Sequence, residues 1–310
     1  MPSQSEGIVI QASSGLFQVE TADGVIECMA RAGADPGAIA AGDHVLISPQ
    51  PAGRGVIESL MPRTTRFSRK VAGRRQDEQV IAANLDQVVI VVAAAEPPFR
   101  ETTLDRYLAA AEHCDLNAVV CINKVDLVPA PDPDSACDLA DRAEIYSRIG
   151  YMVIMTSAET GSGIALLRQT LEGRVSALVG PSGVGKSSLI CAVSPGVNLD
   201  TSEISSSTGK GRHTTTCSRL IKLDGGGYVA DTPGMREFGF HQISRDELAW
   251  CFREFRPHTK SCRFADCHHV KEPGCGVREA VEQGLVSPGR YEHYLRLMGG
   301  VSQSNRLVVC

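Results

Sequence analysis

One octapeptide limits what this chain can fold into: Gly180-Pro181-Ser182-Gly183-Val184-Gly185-Lys186-Ser187. It fits G-x-x-x-x-G-K-[ST]. An apolar run over residues 174–179 precedes it, and a helical pattern over 186–193, opening Lys186-Ser187-Ser188, follows. The glycines let the backbone curl until successive N–H groups face one point, and the start of the helix adds its partial positive charge. Lys186 contributes a point charge for the outer phosphates of a nucleotide, and the Ser187 hydroxyl suits Mg²⁺. A strand–loop–helix of this kind belongs to a parallel sheet with helices on both faces.

The surrounding sequence fits such a sheet. Apolar runs at residues 85–93, 118–122, 151–155, 174–179 and 228–230 alternate with helical patterns at 103–114, 136–149, 164–171 and 186–193. Residues 220–223, a glycine-rich turn at 224–227 and the run from 228 read as a hairpin. Before the sheet, residues 7–60 hold five short strand patterns broken by turns, which suits a small closed barrel of OB type; an SH3-like barrel is the alternative. Arg63, Arg66, Arg69, Lys70, Arg74 and Arg75 form a basic stretch that reads as an exposed linker beside a fold that often binds RNA. After about residue 244 the patterns turn helical. Tyr291, Tyr294, Leu295 and Met298 mark one buried helical face, and residues 301–310 show no pattern. The expected division is a barrel over 1–70, the α/β unit over 71–243 and a helical metal-binding unit over 244–310.

Bulk properties exclude several classes. The net charge of −5 gives no global attraction to phosphate, so any nucleic-acid contact must be local. The opening residues form no signal peptide, and the run from Val88 to Ala95 is too short to span a bilayer. The eleven cysteines are not spaced as a disulfide scaffold, which suits a reducing cytoplasm.

Three further motifs bear on chemistry. Asp231-Thr232-Pro233-Gly234 follows the last strand pattern. A carboxylate there can hold Mg²⁺, and Gly234 leaves room for a phosphate to meet a backbone N–H. Between it and the glycine loop lies a polar stretch ending Gly209-Lys210-Gly211-Arg212-His213-Thr214-Thr215-Thr216, in which Thr215 is the favoured additional Mg²⁺ ligand. Asn123-Lys124-Val125-Asp126 follows the strand at 118–122. Asp126 can accept from N1–H and the 2-amino group of guanine, and Lys124 can lie along the base. Thr156-Ser157-Ala158, at the next strand end, offers a backbone N–H to guanine O6. Separately, Cys262, Cys267, His268 or His269, and Cys275 supply a four-ligand set within fourteen residues, suited to a closed structural Zn²⁺ site.

In chain order these motifs run N-K-V-D, T-S-A, glycine loop, H-T-T-T, D-T-P-G. In most GTPases the phosphate loop comes first. The rotated order resembles the circularly permuted GTPases, and specifically the ribosome small-subunit-dependent GTPase A family, also called RsgA, YjeQ or YloQ. The resemblance covers nearly the whole chain. It implies an OB-type barrel, a permuted P-loop GTPase unit and a zinc-binding helical unit. It further implies GTP hydrolysis in late maturation of the 30S subunit, contact with 16S rRNA, and turnover stimulated by the small subunit. GTP or GDP, Mg²⁺ and one structural Zn²⁺ are the implied ligands, and the expected state is a cytoplasmic monomer. The family's Cys-x-His spacing selects His269 over His268. Where many GTPases carry a water-orienting glutamine this chain has Met235, and His213 takes that role by resemblance. The other reading is an RNA-binding module whose nucleotide is a structural ligand.

Overall fold

The structure, a computed structural model, describes residues 4–13, 15–33, 35, 38–70, 78–128, 139–197, 218–231 and 243–304. His213, Thr215 and Gly234 lie outside these residues, as do Arg74, Arg75 and Met235.

Strands β1 (Ser5–Ser13), β2 (Leu16–Thr21), β3 (Gly24–Ala30), β4 (His44–Gln50) and β5 (Arg54–Leu60) close on themselves in the order β1-β2-β3-β5-β4-β1. The β3–β5 pair is parallel and the β4–β1 pair antiparallel, with Ser5 opposite Ile47. This is the OB-type arrangement, not the SH3-like alternative. Alternation fills the interior: Val9, Phe17, Val19, Cys28, Val45, Ile47 and Ile57 all point inward.

The described part of the basic stretch, residues 63–70, holds a strand where a linker was expected. Strands β6 (Arg66–Lys70) and β7 (Glu78–Ala83) pair antiparallel, and Phe67 enters the core beneath the next sheet. Arg63 donates to the wholly buried carboxylate of Asp43 from Nε (2.6 Å) and Nη2 (2.7 Å). Asp43 also accepts the Ala40 N–H at 2.8 Å. A buried carboxylate needs such partners, and that demand fixes Arg63 to the barrel rather than leaving it for a phosphate.

Strands β8 (Gln87–Ala93), β9 (Asn117–Asn123), β10 (Met152–Met155), β11 (Val175–Val179), β12 (Ser218–Lys222) and β13 (Tyr228–Asp231) form a sheet in the order β10-β9-β8-β11-β13-β12. All neighbours are parallel except the β12–β13 hairpin. Every residue of β8 is buried, as a central strand covered on both faces requires. Helices α1 (Glu101–His113) and α2 (Leu139–Arg148) cover one face, with Leu104, Leu108 and Tyr146 in its core. Helices α3 (Ile164–Leu171) and α4 (Lys186–Val193) cover the other, with Leu167, Leu171, Leu189 and Ile190. Gln11 and Ala12 of β1 pair with Arg219 and Ser218 of β12, so barrel and parallel sheet form one continuous eleven-stranded sheet.

Beyond residue 243 come the short helices α5 (Arg245–Leu248) and α6 (Arg256–Thr259), then α7 (Gly276–Glu282) and α8 (Pro288–Ser304). Ser244 starts α5 with a reciprocal capping box to Glu247. Helix α8 runs four residues into the tail expected to lack pattern. Phe252, Phe255 and Tyr294 form the centre of this core, each burial contributing roughly 1.5–3 kcal/mol. Ala109 of α1 belongs to the same cluster, so the unit packs on the sheet's helical layer. Among the described residues no helix is long and apolar enough to cross a membrane.

Candidate functional site

The parallel strands β8, β9, β10, β11 and β13 all end at one edge of the sheet, and the described phosphate- and base-motif segments begin there. Asn123 ends β9, Thr156 follows β10, Gly180 follows β11 and Asp231 ends β13. Although the chain presents these segments in rotated order, the sheet gathers them along one rim.

The glycine loop folds as its sequence requires. Gly180, Gly183 and Gly185 have φ of 141°, 80° and 93°, a region that side chains rarely enter. A Cβ on Gly180 would lie 2.0 Å from the Val91 carbonyl oxygen of β8, so the loop can leave the sheet here only without a side chain. Val184 is buried, while Pro181, Gly185, Lys186 and Ser187 are half-buried, and Ser182, Gly183 and Ser188 are exposed. The Lys186 ammonium donates to the carbonyls of Gly180 (2.8 Å) and Pro181 (2.7 Å), folding it across its own loop.

Asn123 links this loop to the second motif. Its Nδ2 donates to the Val184 carbonyl at 2.9 Å, sixty-one residues away in the chain. Its Oδ1 accepts from the Thr156 hydroxyl at 3.2 Å, which draws in the loop after β10. A Cβ on Gly185 would sit 2.4 Å from that Nδ2, so this glycine serves both the loop and its junction with Asn123. Lys124 adopts the left-handed region (φ 64°), and its Nζ donates to the Glu96 carbonyl on the loop after β8. This turn places Asp126 on a 3₁₀ segment (Val125–Leu127) with its side chain exposed at the rim. Ser157 is buried, and its N–H is used on Ser162 O at 2.9 Å.

The metal-ligand candidates meet in the C-terminal unit. The donor atoms of Cys262, Cys267, His269 and Cys275 all lie within 4.8 Å of one another. His269 Nδ1 is 3.5 Å from Cys262 Sγ and 3.4 Å from Cys275 Sγ. Donors sharing one tetrahedral zinc are roughly 3–4 Å apart, so the cluster is consistent with one Zn²⁺. His268 turns the other way, toward Asp246 at 3.7 Å, which decides between the two histidines. Burial pushes the Cys267 thiol up to about 12 and holds His269 below its ordinary value. A neutral imidazole beside thiols that burial keeps protonated is a set that a dication would deprotonate and hold. Glu272 supports the loop by accepting the backbone N–H groups of His268, Val270 and Lys271. Tyr291 and Tyr294 donate to the carbonyls of His269 (2.7 Å) and His268 (2.6 Å), locking the ligand loop to α8.

The family model described as RsgA GTPase matches residues 60–241. The chain belongs to the RsgA GTPase family. It is therefore a circularly permuted GTPase, and the guanine nucleotide and Mg²⁺ are implied by that membership. A relative named "Small ribosomal subunit biogenesis GTPase RsgA" from Gemmatimonas aurantiaca is 46% identical, over 96% of this chain and 97% of its own length. One of the same name from Moorella thermoacetica is 43% identical, over 97% and 99%. The crystal structure of YjeQ from Thermotoga maritima superposes with TM-score 0.79 at 37% identity, covering 96% of this chain and 99% of that one. YloQ, titled a circularly permuted GTPase, gives TM-score 0.77 at 31% identity, over 97% and 96%.

Sequence reasoning missed the charged groups that join the C-terminal unit to helix α1 of this RsgA-family GTPase. Asp105 of α1, wholly buried, accepts from Tyr146 Oη (2.8 Å) and Arg290 Nη1 (2.6 Å) and faces His293 Nδ1 (2.5 Å). Glu112 accepts from Arg253 and Arg256, both at 2.6 Å. No local pattern marks these residues, because their arginine partners stand more than a hundred positions away.

Proposed function

We propose that this GTPase acts in maturation of the small ribosomal subunit, with turnover raised when that subunit binds. The observation that carries the reading is the Asn123–Val184 hydrogen bond, which couples a guanine-reading motif to a phosphate loop within one rim. Asp126 accepts from the guanine N1–H and 2-amino group, Lys124 lies along the base, and Ala158 donates to O6, with Ser157 shaping the turn. Adenine lacks the N1 proton and would leave the carboxylate without its partner.

Gly180 to Ser188 form the phosphate cradle. Lys186 swings from its own loop carbonyls onto the outer phosphates. Ser187, Thr215 and Asp231 are the residues that would hold Mg²⁺, and Gly234 offers a backbone N–H to the terminal phosphate. The ion, when bound, neutralises charge on the transferring phosphoryl group. His213 orients the attacking water, because Met235 cannot accept a hydrogen bond from it. Cys262, Cys267, His269 and Cys275 hold one structural Zn²⁺ with all four positions filled, which leaves no open site for catalysis.

Three units divide the work: a barrel over residues 1–70, the GTPase unit over 71–243 and the zinc unit over 244–310. The barrel and zinc unit grip 16S rRNA of the 30S subunit from either side of the nucleotide rim. GTP favours the docked state and hydrolysis releases it. The protein works as a monomer in the cytoplasm. The relatives' shared name and full-length match support this assignment. GTP turnover measured alone and with purified 30S, 50S and 70S particles tests it. Stimulation by 30S is expected; equal rates in all four conditions would refute it.

A further inference from the structure

Residues 96–100, in the loop after β8, border the phosphate loop. A Cβ on Gly183 would lie 3.8 Å from Pro97 Cδ, and Lys124 ties the Glu96 carbonyl to the guanine-side motif. Between this loop and the cradle runs a cleft of about 230 Å³. Pro97, Pro98, Phe99 and Arg100 line one wall, and Pro181 and Val184 line the other.

Arg100 stands out on that wall. It is exposed, and among the described residues its side chain makes no hydrogen bond or ion pair. The residues on either side of it are fixed. Arg142 of α2 donates to the Phe99 carbonyl (3.0 Å) and to Glu101 Oε1 (2.5 Å), and its guanidinium stacks on the Phe99 ring at 4.3 Å. Phe99 itself is buried. The result is a rigid backbone presenting one unneutralised guanidinium across a narrow cleft from the phosphate loop.

From this geometry we infer that Arg100 is a catalytic arginine supplied in cis. On nucleotide binding its guanidinium reaches past Pro181 to the terminal phosphoryl oxygens, where charge spreads in the transition state. Two N–H groups on a planar fork suit that group better than a lysine's point charge. Arg142 is the positioning residue that holds the backbone for it. The inference rests on the hydrolytic reading above.

The test is single-turnover GTP hydrolysis by the full chain, with and without 30S subunits, in the parent protein, Arg100→Ala, Arg100→Lys and Arg142→Ala. It is paired with affinities for GDP and for GDP with aluminium fluoride. For Arg100→Ala we expect a rate loss of about 10²–10³-fold, a matching loss of fluoride-complex affinity, and unchanged GDP affinity. Arg100→Lys is expected to restore little of either, and Arg142→Ala to lose less rate with GDP affinity intact. Parent-like hydrolysis in Arg100→Ala overturns the assignment alone. So does a defect confined to 30S binding, which makes Arg100 an RNA contact. Parallel loss of GDP affinity and rate marks a structural role and overturns it too. Absence of hydrolysis in the parent overturns both the arginine and the reading beneath it.

Discussion

Arg290, on the last helix, donates to Asp105 on α1 at 2.6 Å with both side chains almost wholly shielded from water. Arg290 also bonds Glu254 through Nε at 2.7 Å and Nη2 at 3.1 Å, and its guanidinium lies 4.6 Å from the Phe252 ring centroid. Burial opposes its charge, but Asp105 and Glu254 outweigh that and keep it protonated. Such a pair adds little over apolar packing, yet removing one member strands the other in a low-dielectric site. Arg290→Ala is expected to destabilise the protein by about 3–5 kcal/mol in denaturant unfolding. The triple variant Arg290→Met with Asp105→Leu and Glu254→Met, which leaves none of the three charges behind, is expected to lose much less, which separates stranded charge from lost packing.

The candidate metal ligands sit on loops with little regular structure of their own, anchored by Tyr291 and Tyr294 of α8. Cys267→Ser, or chelation, is expected to abolish slow hydrogen exchange across residues 243–304 while β8, β9 and β11 stay protected. Protection that survives chelation in the C-terminal unit would show that the metal does not fold it.

Asp126 carries the proposed choice of base from an exposed rim position. Asp126→Asn replaces an acceptor by a donor. GTP affinity is expected to fall by on the order of 10²-fold or more. Xanthosine triphosphate, with an oxygen in place of the 2-amino group, is expected to gain. Competition binding with the two nucleotides measures both. A variant that keeps GTP preference shows that another group reads the base.

His213→Ala is expected to keep GDP affinity and to lose the 30S-stimulated part of turnover by about 10²-fold or more, the usual scale of general-base and positioning effects. Stopped-flow nucleotide binding beside steady-state turnover separates the two. Parent-like stimulated turnover removes this histidine from the mechanism.

Glu20 joins the barrel to the parallel sheet by accepting from Lys222 and from Tyr228 Oη, the latter at 2.9 Å. The Lys222 hydrogen bond, helped by Tyr228 against the cost of burial, holds its carboxyl below the ordinary 4.5. A lowered folded-state value means the contribution is complete above the unfolded carboxylate range and disappears as pH falls through the folded value. Denaturation midpoints measured from pH 6 down to pH 3 are expected to drop less steeply in Glu20→Gln than in the parent. Parallel curves would show that this junction does not respond to acid.

Much of the fold was written locally. The glycine loop, the helices Ile164–Leu171 and Lys186–Val193 and the five barrel strands follow from period, turn chemistry and left-handed glycines, each set by a few neighbouring residues. The fixed place of Arg63 is not legible in this way, for the opposite reason. Charge in sequence says nothing of a buried partner, and Asp43 stands twenty positions earlier. Lys124 and Gly185 were recognisable as motif members, but their backbone roles emerged only where the loops meet.

The residues alone determined which chemistry the chain can hold: a phosphate cradle, a guanine reader and a soft-ligand cluster are each short enough to be encoded in consecutive positions. Tertiary structure decided which of these share a rim, because strand order, not chain order, sets what is adjacent. It also decided which of His268 and His269 faces the thiols, and that Arg290 and Asp105 bind the C-terminal unit to α1. Those pairings are non-local, and their energy depends on burial that no segment can achieve by itself.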